Sequence, residues 1–84
     1  MPGADEFRAA LQTMLKAAQD GSAVSIDIEA GQLHRKVGGY PGPGHRMPVC
    51  CAVMYDEQRA GDELIAQPPK GKGASLKIRY RLPR

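Results

Sequence analysis

With 84 residues, 42% hydrophobic side chains and a formal net charge of +3, the chain is expected to form one domain, residues 1–84, around a thin core. A domain of this size buries roughly 60–65% of the surface its unfolded chain exposes, leaving little room for an internal cofactor, and none is expected. No apolar run reaches about 18 residues, and residues 1–7 lack both a basic and an apolar leader region. Neither a membrane span nor a secretory signal is therefore expected, and a cytoplasmic protein is the expectation.

Residues 5–19 carry the clearest helical pattern, with Phe7, Leu11, Met14, Leu15 and Ala18 recurring at spacings of three and four. Asp5 and Glu6 fall in the first turn, where they suit the positive end of the helix dipole, and Gly21 supplies a stop. The period then changes to two over residues 23–28, placing Val24, Ile26 and Ile28 on one side and Ser25 and Asp27 on the other. A short helix is expected from 29 or 30 to 37, with Ala30, Leu33 and Val37 inward and His34, beside Arg35 and Lys36, at the surface. Gly31 counts against this helix, because an interior glycine costs about 1 kcal/mol relative to alanine.

Residues 40–44, Tyr-Pro-Gly-Pro-Gly, are a loop on any reading. A third helix is expected from Met47 to Gln58 or Arg59, with Pro48 in its first turn. Met47, Val49, Cys50, Val53 and Met54 form a wide apolar arc, and Pro48, Ala52, Tyr55 and Arg59 lie opposite. The adjacent Cys50 and Cys51 read as reduced, buried thiols acting as small hydrophobes. With His34 and His45 they supply the right atom types for zinc, but no C-x₂-C pair exists and neighbouring cysteines on a helix diverge by about 100°, so no metal is expected. Nothing places a histidine beside either thiol, and no carboxylate cluster of nuclease type is present, so enzyme activity is not expected.

The last third reads as a basic β-hairpin: residues 62–67 as one arm, 68–73 as the tip and 74–82 as the second arm. In the second arm Leu76, Ile78, Tyr80 and Leu82 share one face, and Lys77, Arg79 and Arg81 share the other. Residues 1–61 hold six basic and seven acidic side chains, whereas residues 62–84 hold six basic and two acidic ones. The surplus of positive charge therefore sits in the hairpin, an arrangement suited to a polyanion. The Gly71–Ser75 stretch is not a P-loop, since its glycines precede a strand and the spacing is wrong.

The resulting order of helix, strand, helix, helix and two-stranded hairpin resembles the winged helix-turn-helix superfamily across nearly the whole chain. The resemblance implies an α+β fold of three helices packed on a small antiparallel sheet, with a C-terminal β-hairpin wing. It implies binding of double-stranded DNA, with Arg46, Tyr55 and Arg59 facing the major groove and Lys70, Lys72, Lys77, Arg79 and Arg81 on phosphates. Residues 45–54 and 68–80 also resemble small bacterial proteins of uncharacterised activity from phage, mobile-element or defence loci, a resemblance that implies a genetic neighbourhood and no mechanism; a regulator from a mobile element is one expectation.

Asp56, Glu57, Asp62 and Glu63 oppose this reading, because carboxylates beside the third helix repel phosphate. These acids and the Tyr40 loop support an alternative, a protein-interaction module such as a phage-type inhibitor or adaptor with no nucleic-acid ligand. A solvated basic strand face that blunts a sheet edge is the plainest account of the same ladder. Phe7, Tyr40, Tyr55 and Tyr80 are too few, with two inward, to stack single-stranded bases.

Overall fold

The computed structural model describes residues 3–38, 46–69 and 71–83. The elements run α1 (Ala4–Asp20), β1 (Ser25–Glu29), α2 (Ala30–Val37), α3 (Met47–Asp56), β2 (Glu63–Ala66) and β3 (Lys77–Arg81). The fold is α+β, with three mutually packed helices against a three-stranded antiparallel sheet of order β1-β3-β2. The Tyr40 loop, His45, Lys70 and Arg84 lie outside the described residues.

Helix α1 forms as its apolar stripe dictates: Phe7, Leu11 and Leu15 are buried, with Met14 and Ala18 packed against the same cluster. Its first turn is closed by the Glu6 carboxylate, which accepts the Gly3 N–H at 3.1 Å. The alternation of β3 survives in full. Leu76, Ile78, Tyr80 and Leu82 are buried, and the Tyr80 hydroxyl donates to the Met54 carbonyl at 2.8 Å, fixing the sheet to α3. Opposite them on β1, Ile26 faces Tyr80 and Ile28 faces Ile78.

Four expectations need correction. Helix α3 stops at Asp56, so Arg59 lies beyond it in a turn where Asp62 accepts the Arg59 backbone N–H. Val24, expected inward, is 78% exposed, because it precedes the first paired residue of β1. His34, expected at the surface, is wholly buried. Its Nε2 accepts the Arg46 backbone N–H at 2.8 Å, and its ring meets Phe7 edge-on at 4.8 Å. The imidazole thereby fixes the entry to α3.

The second arm of the hairpin is also shorter than expected, with β3 beginning at Lys77 after a turn at 73–75. That turn serves α2. The Ala30 and Gly31 N–H groups, orphaned at a helix start, donate to the carbonyls of Leu76 at 2.8 Å and Ala74 at 3.1 Å. Gly31 permits this approach, since a Cβ there would stand 3.3 Å from the Ala74 oxygen.

Candidate functional site

Of the eight residues singled out from the sequence, the seven that are described do not share one surface. Lys77, Arg79 and Arg81 point out of the sheet face opposite the core, by the alternation that buries Ile78 and Tyr80. The outward face of α3 lies across that core, so a duplex lying on α3 does not reach the middle of the outer sheet face.

The outer sheet face is also close to charge balance. Arg79 sits between Asp27 on β1 and Glu63 on β2, and Lys77 stands opposite Glu29. Arg79 grips Asp27 through both Nε and a terminal nitrogen, at 2.8 and 3.2 Å. These hydrogen bonds hold the Asp27 carboxyl below the usual carboxylate range and raise the Arg79 guanidinium above its own. The basic ladder read from β3 alone is therefore interleaved with acids from both neighbours, because β3 is the central strand. A strand read in isolation does not reveal this.

Around α3 the distribution differs. Arg46 is half-buried at the N-cap, with its backbone N–H on His34. Tyr55, expected in the groove, is instead half-buried, and its hydroxyl donates to the Gly71 carbonyl at 2.5 Å. This contact forms because the β2–β3 connection folds back onto α3. Cys51 Sγ donates to the Gly73 carbonyl at 3.4 Å, and Pro68 is buried in the same connection. Lys72 is exposed on this docked segment and lines an open groove of about 400 Å³ with Pro48, Val49 and Ala52 of α3 and Ala4 and Arg8 of α1. Lys70 lies outside the described residues.

Arg8 is the residue the sequence reading missed. Its guanidinium reaches Asp56 and Glu57, each at 3.0 Å, so both carboxylates that counted against a polyanion at α3 are engaged from α1. Asp62 is likewise spent on the main chain. Its Oδ2 accepts the Arg59 N–H and its Oδ1 the Arg81 N–H, both at 2.7 Å. Nothing in the local sequence signals the Arg8 contacts, which close over 48 and 49 residues.

Both cysteines are buried and free, as the sequence reading expects. Burial pushes the Cys50 thiol up to about 12 and raises Cys51 as well, so neither is a thiolate nucleophile near neutral pH. Cys50 Sγ donates to the Ala30 carbonyl while His34 turns to Arg46, and the groups do not converge. Among the described residues no group of three or more histidine, cysteine or carboxylate side chains is placed to hold a metal ion. Among them, too, no helix is long and apolar enough to cross a membrane.

No protein-family model, no curated protein and no solved structure matches the chain.

Proposed function

We propose that the chain is a small winged-helix-type protein that binds double-stranded DNA chiefly through the phosphate backbone, as a regulator carried by a mobile element. The observation that carries this reading is the arrangement of elements. An α2–α3 pair precedes β2 and β3, and β1 adds to the far side of β3, giving the order β1-β3-β2. In a winged helix this arrangement presents the third helix and the β2–β3 connection on one side.

Electrostatics near α3 agree with it. Arg8 pairs with Asp56 and Glu57, Asp62 is turned to backbone amides, and Arg46, Arg59 and Lys72 border the helix. The outward residues Pro48 and Ala52 offer no donor or acceptor to a base edge. Binding through phosphates with weak discrimination between sequences follows. Fluorescence anisotropy of a labelled duplex at low salt tests the proposal. A dissociation constant below about 100 µM that weakens steeply with salt is expected, and absence of binding in that range refutes it.

A second reading, a protein-interaction module of inhibitor or adaptor type, draws on one observation. The groove is open, with an apolar floor of Ala4, Pro48, Val49, Ala52 and Val53 and charged walls of Arg8, Asp56 and Lys72. A partner that co-purifies after complete nuclease digestion would favour it over the first.

A further inference from the structure

Strand β2 is an outer strand of the described sheet, paired with β3 on one side only. All four of its residues are exposed, and they include two large apolar side chains, Leu64 at 42% and Ile65 at 40%. The opposite edge differs, because β1 holds the buried Ile28 and runs directly into α2. An outer strand carries a row of backbone N–H and C=O groups without a ladder partner, and proteins usually guard it with lysine, proline or an inward-pointing charge. Residues 63–66, Glu-Leu-Ile-Ala, hold no lysine and no proline. The side chain turned toward the core is Leu64, which stands opposite the buried Ile78. A bulge leaves Ile65 with no opposite residue on β3, and it twists the strand so that only a short partner fits.

We propose that β2 is a self-association edge, which pairs antiparallel with β2 of a second copy of this chain about a two-fold axis at Leu64. The strand's own sequence selects this occupant, because it is complementary to itself in that register. The two Leu64 side chains meet on the core side, and Glu63 stands opposite Ile65 of the second copy, twice by symmetry. No carboxylate then opposes another, and Glu63 keeps Arg79 opposite it on β3. Moving the axis to Glu63 would set two carboxylates against each other, which is destabilising. The contact buries little more than one four-residue strand on each side, so the dimer is weak, with a dissociation constant of about 0.1–1 mM. The axis stands perpendicular to the joined sheets and leaves the helices of both copies on one side. This self-pairing is independent of the DNA reading, since no residue of β2 belongs to the surface beside α3.

Sedimentation equilibrium of the native chain up to about 2 mM, beside Ile65→Glu and Ile65→Lys, tests the pairing. Expected is a monomer–dimer equilibrium that Ile65→Glu weakens about tenfold, by setting a carboxylate opposite Glu63 at two symmetric places, and that Ile65→Lys does not weaken. In the native chain the amides of residues 63–66 should shift with protein concentration while those of α1 stay still, a readout that needs no substitution. A native chain that remains monomeric throughout overturns the proposal and leaves the edge to a strand of another protein. Self-association with the 63–66 amides unmoved puts the contact elsewhere and also overturns it. Equal weakening by both variants sets like charges against each other across the axis, and overturns the register at Leu64.

Discussion

His34 shows how one side chain can set a helix in place. It joins the inward stripe of α2, being four residues after Ala30 and three before Val37, and its ring packs on Phe7 of α1. Its Nε2 then takes the N–H of Arg46, the residue from which α3 starts. The neighbouring Arg35 and Lys36 suggested a surface position, yet the helical spacing already pointed inward. The spacing was the better guide, because burial follows the face and not the neighbour in sequence. Replacing His34 by Ala removes both the acceptor and the ring, at an expected cost of about 2–4 kcal/mol. Domains of this length have roughly 4–12 kcal/mol in all, so urea unfolding should show a large drop in midpoint. His34→Gln, which retains an acceptor, should recover part of the loss. Equal midpoints for the native and Ala chains would remove the imidazole from this role.

At the scale of elements, the periodicities recovered what local sequence physically encodes: the α1 stripe, the α2 span, and the strict alternation that buries Leu76, Ile78, Tyr80 and Leu82. What they missed depends on contacts between distant segments. The acids interleaved with the β3 cations come from β1 and β2, and their placement is a property of register, not of either strand alone. Helix α3 ends early because the chain turns at 59–62, where Asp62 ties Arg59 toward Arg81. Gly31 is the sharpest case. Helix propensity favours alanine there by about 1 kcal/mol. The structure predicts the opposite sign, because the new methyl would press at 3.3 Å on the Ala74 carbonyl that accepts the Gly31 N–H. Gly31→Ala should therefore lower the melting temperature, and a raised one would show that the 73–76 turn yields freely.

On the scale of the whole molecule, the core divides the charged surface in two. One side is the outer sheet face, where Asp27, Glu29 and Glu63 answer Arg79 and Lys77. The other is the α3 side, where Arg8 pairs with Asp56 and Glu57 and where the β2–β3 connection carries Lys72 against the helix. The sequence places the excess charge in residues 62–84, the hairpin, but folding spends much of the β3 contribution within the sheet. The surface proposed for DNA is consequently smaller than the hairpin alone suggested, and lies on the side of α3.

An amide chemical-shift map of the chain with a short duplex at low salt tests this division most directly. The account predicts perturbations concentrated at residues 46–52, at the 59–62 turn, and at 71–73, with Asp27 and Glu29 unmoved. Shifts centred on Asp27, Lys77 and Arg79, with α3 silent, would contradict it.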